Sequence, residues 1–108
     1  MSDTFNFRVL QLEVKEWALH NFPNAEPWEP LVGAMEELGE LSHAHLKEHQ
    51  GIRTGENHKK AKQDAIADIV IYLADYCWRN HISMAGTVYE VWQEVKSRDW
   101  IKNPENGI

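Results

Sequence analysis

Acidic side chains occur in two short runs that could together bind a divalent cation. The first run, MEELGEL, carries Glu36, Glu37 and Glu40, and residues three apart share one face of a helix. The second run, QDAIADIVIYLADYC, begins with Asp64 and Asp68. Carboxylate oxygens suit hard cations such as Mg²⁺ or Mn²⁺. If the two runs lie on packed helices, they would therefore form an all-oxygen metal site.

The second acidic run is unusual because it lies in an apolar segment. Residues 65–78 are mostly apolar or aromatic around the whole circumference of a helix, which predicts a central helix. At about 100° per residue, Asp64, Asp68 and Asp75 fall on one stripe of that helix. Ionised carboxylates in such a place are costly unless water, a basic side chain or a cation meets them. Each run alone fits a solvated helix face, and only their combination favours a metal site.

Hydrophobic periodicity predicts the helices that must position these acids. Candidate N-caps of the first helix are Ser2, Asp3 and Thr4. Proline-rich and glycine-rich segments separate the helices, and no segment alternates apolar and polar residues as a strand would. The chain is therefore expected to be one all-α domain, residues 1–108, built as a four-helix bundle with its acidic core at about 30–80. The predicted helices cover about 4–20, 30–50, 57–79 and 84–100.

Composition limits the classes of partner. The 108 residues include 11 basic and 17 acidic side chains, a net charge of −6, which argues against a protein that grips nucleic acid or an anionic membrane. No pattern typical of a signal peptide or a membrane span is present. Cys77 is the single cysteine, which suggests a reducing compartment and hence the cytoplasm. Its position in the apolar helix is typical of a small core residue.

With these two motifs, residues 30–100 resemble the MazG-like all-α nucleoside triphosphate pyrophosphohydrolases. Members of that family hold Mg²⁺ between two such helices and hydrolyse (deoxy)nucleoside triphosphates to the monophosphate and pyrophosphate. The resemblance implies a Mg²⁺-dependent hydrolase that cleans the nucleotide pool. It also implies a homodimer or homotetramer, and apolar positions on the first and fourth helices are candidate contact surfaces.

The family's motifs carry roles over to particular residues here. Glu37 and Glu40 match the E-x-x-E metal ligands, and Asp68 matches the aspartate of the second motif. The family's glutamate three residues before that aspartate is an alanine here, so Asp64 is the natural substitute as a ligand. Either Glu37 or Glu36 would accept the proton of the attacking water.

Substrate contacts are expected from several further residues. Tyr72, one turn beyond the second-motif aspartate, would hydrogen-bond a phosphate oxygen, with a core aromatic as the alternative role. Lys96 and Arg98, in KSRDW, lie where related proteins carry phosphate-facing residues, and Lys47 is another basic candidate. Trp28, beside prolines just before the acidic helix, is the candidate for stacking on a base. Core aromatics are expected instead at the tryptophans that fit the helical patterns: Trp17, Trp78 and Trp92.

Two other interpretations stay open. Glu40 and His43 have the Glu-x-x-His spacing of di-iron carboxylate bundles, although that site needs the motif twice. A non-catalytic helical interaction module would use the acids for solubility or for a basic partner. It gives no reason for acids in the most apolar helix.

Overall fold

The computed structural model describes residues 4–108, and throughout that range the regular structure is α-helical, with no strand. This confirms the all-α fold class. The candidate caps Ser2 and Asp3 lie outside the described residues. Asn6 caps the first helix, because its side chain accepts the Val9 N–H at 2.9 Å. The helices are α1 Phe7–Asn21, α2 Glu29–Gln50, α3 His58–Arg79 and α4 Met84–Val95.

Local sequence signals set most helix ends. Pro30 lies in the first turn of α2, where its missing N–H costs no helical hydrogen bond. Gly51 ends α2 in the left-handed conformation, with φ 69°. The side chains of Asn57 and Ser83 cap α3 and α4 by accepting the backbone N–H three residues later. The predicted bounds of α2 and α3 are accordingly close to the observed ones.

Helix α4 ends at Val95, so its predicted extension to about residue 100 was wrong. The chain then turns, and the carboxylate of Asp99 accepts the backbone N–H groups of Ile101 and Lys102 at 3.0 and 2.9 Å. The Asp99 N–H donates to the carbonyl of Gly107 at 2.6 Å. An aspartate that bonds the following backbone replaces the helical ladder, so the helix does not continue through residues 99–102.

The helices pack in the spatial order α2, α3, α1, α4. Helices α2 and α3 form an antiparallel hairpin. Near the connecting loop, Lys62 Nζ donates to Glu48 Oε1 at 2.7 Å, and toward the other end the Tyr72 ring lies against Gly33. Helix α3 contacts both α2 and α1, so its predicted central position is confirmed.

Small side chains form most of the buried core. Small residues let helix backbones approach each other closely. Larger apolar side chains around α2 and α3, such as Leu38 and Ile66, stay exposed in the single chain. The apolar circumference predicted for α3 is therefore only partly covered. The buried apolar residues are Val14, Ala18, Ala34, Ala44, Ala65, Ala74 and Met84.

Replacing Gly33 with alanine is expected to destabilise the protein. The added Cβ would lie 2.7 Å from Cδ1 and Cζ of the Tyr72 ring, well inside van der Waals contact. Overpacking of this kind costs about 1–3 kcal/mol of unfolding free energy, more than the ~1 kcal/mol that alanine gains over glycine in a helix. Urea denaturation measures the difference.

Gly39→Ala, on the same helix, is the matched control, because nothing lies within 4 Å of the added Cβ. It should stabilise the protein by up to about 1 kcal/mol through helix propensity alone. A Gly33→Ala protein as stable as the Gly39→Ala protein would contradict the close contact between α2 and α3.

Candidate functional site

A cavity of about 410 Å³ lies between α1, α2, α3 and the loop that joins α1 to α2. Glu37 of α2 and Asp68 of α3 line one part of it. Trp17 and Phe22 line another part, near the α1–α2 loop. Between Asp68 and Asp75, both in the lining, α3 rises about 10 Å, which gives the cavity two distinct ends. We call them the acidic end, Glu37 and Asp68, and the aromatic wall, Trp17 and Phe22.

Glu37 experiences the charges of both acidic runs. Its side chain is half-buried on the face of α2 that meets α3. Partial burial, followed by the negative charges of Asp68, Glu40 and Glu36, raises the pKa of Glu37 above its usual range. Glu36 and Glu40 are themselves exposed. The structure therefore brings Glu37 and Asp68 together across the helix interface, with the other two glutamates close enough to act on them.

The other aspartates of the predicted stripe have basic partners. Asp64 is exposed, accepts a hydrogen bond from Lys60 Nζ at 2.6 Å, and does not line the cavity. Asp75 lines the cavity, but its Oδ1 accepts Arg79 Nε at 2.8 Å and Trp78 Nε1 at 2.7 Å. Both ion pairs join residues four apart on one helix, a spacing visible in the sequence. That spacing is the signal that could have separated these two acids from Asp68.

The predicted basic residues lie away from the acidic end within one chain. Lys47 is near the end of α2, roughly 15 Å along the helix from the acidic end, and its Nζ donates to Gln50 Oε1 at 3.2 Å. Lys96 is the C-cap of α4, and Arg98 Nη2 bonds Glu94 Oε1 at 3.1 Å. In the described part of the chain, the residues that line the cavity include no lysine or arginine.

The aromatic lining differs from the prediction. Trp28 is the N-cap of α2, 59% exposed, and does not line the cavity. Trp17, predicted to be a core aromatic, does line it and is 54% exposed. Its ring meets the edge of the Phe22 ring, with centroids 5.5 Å apart and an interplanar angle of 71°. Helical spacing could not show this, because the path of the α1–α2 loop decides which tryptophan faces the cavity.

Tyr72 and Cys77 illustrate two different roles on α3. Tyr72 lines the cavity between the two ends, and its ring lies on Gly33 of α2. It therefore combines a packing contact with a position from which its hydroxyl can reach a ligand. Cys77 packs beside Val14, Ala74 and Met84, and burial raises the pKa of its thiol. A raised pKa disfavours the thiolate, which is what a core cysteine rather than a nucleophile requires.

The acidic end fits the ligand chemistry of Mg²⁺. Among residues 4–108, no three His, Cys, Asp or Glu side chains are already gathered around one point as a metal cage. Mg²⁺ usually takes only one or two protein carboxylates and completes its shell with water and substrate phosphates. Glu37 and Asp68 supply two such carboxylates, and their mutual repulsion is what a divalent cation would relieve.

Comparison with known proteins adds no assignment. No family model, curated protein or solved structure matches the chain. Over the described residues, no helix combines the length and apolarity needed to cross a bilayer. The chemistry of the cavity is therefore the basis on which its function can be inferred.

Glu37→Gln is expected to stabilise the metal-free protein at neutral pH. The raised pKa means that folding opposes ionisation of Glu37. Ionisation of Glu37 should therefore subtract from the stability of the wild-type protein as pH rises from the carboxyl's unfolded pKa through its higher folded pKa. The Gln variant should lack that loss. Calorimetric melting between about pH 4 and about pH 8 covers the interval.

Addition of Mg²⁺ completes this test. The cation should raise the melting temperature of the wild-type protein at neutral pH and leave Glu37→Gln nearly unchanged. Glu16→Gln is the control, because Glu16 is an exposed acid on α1 outside the cavity lining. A Glu37→Gln protein that melts below the wild type at neutral pH without metal would contradict the repulsion inferred here.

Proposed function

We propose that this protein is a MazG-like, Mg²⁺-dependent nucleoside triphosphate pyrophosphohydrolase that cleans the cytoplasmic nucleotide pool. The cavity carries the proposal, because it joins the acidic end to the aromatic wall. A metal-bound polyphosphate needs the acidic end, and a planar base needs the aromatic wall. Nucleotides combine both chemical features in one small molecule.

Glu37, Glu40 and Asp68 are the proposed ligands, for Mg²⁺ or for Mn²⁺ in its place. Asp64 would join them after releasing Lys60, an exposed pair that contributes little to stability. When bound, the ion would neutralise charge on the triphosphate and lower the pKa of a coordinated water.

The chain's own side chains complete the proposed reaction. Glu37, or its neighbour Glu36, accepts a proton from the attacking water. The water oxygen bonds to the α-phosphorus, and the bond from that phosphorus to the oxygen bridging the α- and β-phosphates breaks. The monophosphate and pyrophosphate are the products. The Tyr72 ring packs against Gly33, and its hydroxyl donates a hydrogen bond to a phosphate oxygen.

Pyrophosphate release from a panel of canonical and modified (d)NTPs tests the proposed reaction. Glu40→Gln and Asp68→Asn should each lower kcat/KM by at least about a hundredfold, because each removes a metal-binding carboxylate. Glu16→Gln, an exposed acid on α1 outside the cavity lining, should leave activity within about twofold. Omission of Mg²⁺ should abolish release.

The opposite result would favour a different function. If no triphosphate is hydrolysed and Mg²⁺ does not change the melting temperature, the acids are not a metal site. The uncovered apolar surface would then support the non-catalytic interaction module.

We further propose that two or more copies assemble, because one chain leaves too much surface uncovered. Its accessible surface is 8438 Å², against about 6,200 Å² expected for a folded monomer of this mass. Its radius of gyration is 17.3 Å, against about 13 Å for a compact chain of this length. The excess matches the area per subunit that obligate homodimers bury.

Helix α4 contributes exposed apolar side chains to this uncovered surface. It packs against α1, and one side of it presents partly exposed apolar residues: Val88, Val91, Trp92 and Val95. The KSRDW segment follows directly. We propose that Lys96 and Arg98 of a second copy supply the basic residues that the cavity lining lacks in one chain.

Trp92→Glu is expected to dissociate the assembly, because it places a charge in the centre of the apolar side of α4. Glu90→Lys, on the opposite side of the helix, is the matched control and should leave the assembly intact. Sedimentation velocity measures both. A wild-type chain that sediments as a monomer at micromolar concentration would contradict the proposed assembly.

A further inference from the structure

Side chains at the C-terminal end of α3 hydrogen-bond the loop that joins α1 to α2. Arg79 Nη1 and Nη2 donate to the carbonyl oxygens of Ala25 and Phe22 at 3.2 and 3.3 Å. Asn80 Nδ2 donates to the carbonyl of Pro27 at 2.9 Å. These bonds cross more than 50 residues of sequence, so they fix the loop relative to α3 and not merely to its own neighbours.

Arg79 is itself held rigidly. Its side chain is only 6% exposed, and its Nε donates to Asp75 at 2.8 Å. Its guanidinium lies over the Trp78 ring, with Cζ 4.6 Å from the ring centroid. Asp75 in turn accepts the Trp78 Nε1 hydrogen. The planar guanidinium of Arg79 is bonded through several donors at once, so it fixes the position of the loop relative to α3. Lysine lacks that geometry.

The loop position decides where the aromatic wall stands. Arg79 donates a hydrogen bond to the carbonyl of Phe22, and the Phe22 ring packs edge to face with the Trp17 ring. Arg79 does not itself line the cavity. Its contact with Asp75 also offsets the charge of one carboxylate in this part of the lining, while Glu29, a second lining carboxylate, accepts the backbone N–H of Glu26. The rings of Trp17 and Phe22 offer a base a stacking surface, and the remaining negative charge of Glu29 disfavours a phosphate there.

We propose that Arg79 is a positioning residue that holds the aromatic wall and thereby sets the affinity of the cavity for the base of a nucleotide. The inference rests on the proposed function, since it assigns the base to the Trp17–Phe22 end of the same cavity. Arg79 acts through the α1–α2 loop and touches neither the phosphates nor the reacting atoms.

Arg79→Met tests the proposal, because methionine keeps much of the apolar part of the side chain and removes every side-chain hydrogen-bond donor. We expect KM for a (d)NTP to rise about tenfold with kcat within about twofold, since the base is held less well and the reacting end is intact. Trp17→Ala, which removes the wall directly, should give the same pattern. Methyl triphosphate, which has no base, should be hydrolysed equally by wild type and both variants.

Two further variants keep the test independent of folding. Arg79→Lys retains a positive charge for Asp75 and loses the fork, so its KM should lie between those of wild type and Arg79→Met. Lys15→Met removes the other cation near the Trp78 ring, 5.8 Å from its centroid, without touching the loop, and should change neither kinetic constant. Circular dichroism confirms that each variant is folded before the kinetics are measured.

Calorimetric binding of nucleoside monophosphates separates this proposal from the proposed reaction. Binding by wild type that weakens about tenfold in Arg79→Met supports the positioning role, even if no triphosphate is hydrolysed and the proposed reaction fails. Equal binding and equal KM in the two proteins would overturn it. An equal loss of activity on methyl triphosphate and on (d)NTPs, or no nucleotide binding by wild type, would also overturn it.

Discussion

Close contact between α2 and α3 is the constraint on which the rest of the structure depends. Alanines and Gly33 line this interface, so the two backbones approach closely and the Tyr72 ring lies against Gly33 of α2. The same approach places Glu37 beside Asp68 and raises the pKa of Glu37. Packing thus holds together two carboxylates that repel each other. Such a pair is a destabilising arrangement by itself and a useful one where a cation is to be bound.

The sequence predicted the features that local rules control. Helical periodicity, the Asn57 and Ser83 caps and the Gly51 stop depend on residues within a turn or two, so three of the four helices lie close to their predicted bounds. The meeting of the two acidic runs was also predictable, because each run occupies one face of a helix that must be buried against a neighbour. The spacing of charges four residues apart would have assigned Asp64 and Asp75 to Lys60 and Arg79.

The aromatic wall was beyond sequence reasoning because it depends on distant backbone contacts. Trp17 and Trp28 both lie near the α1–α2 loop, and composition alone favoured the one beside the prolines. The bonds from Arg79 and Asn80 to three loop carbonyls decide the path of that loop. A side chain that bonds to a carbonyl leaves no trace in the residue type of its partner, since every residue has a carbonyl. The predicted extension of α4 to about residue 100 was wrong for a related reason. The Asp99 carboxylate accepts backbone N–H groups that a longer helix would have used.

The alanine-lined core has a consequence for which substitutions this protein can tolerate. In most small domains the damaging core changes are truncations, which leave cavities under large side chains. Here most of the buried positions are already alanine, so truncation there removes little, and enlargement pushes whole helices apart. A survey of random variants should therefore show an asymmetric spectrum, in which Ala34, Ala44, Ala65 and Ala74 resist any increase in volume. The large apolar residues outside them should respond instead to whatever covers them in the proposed assembly.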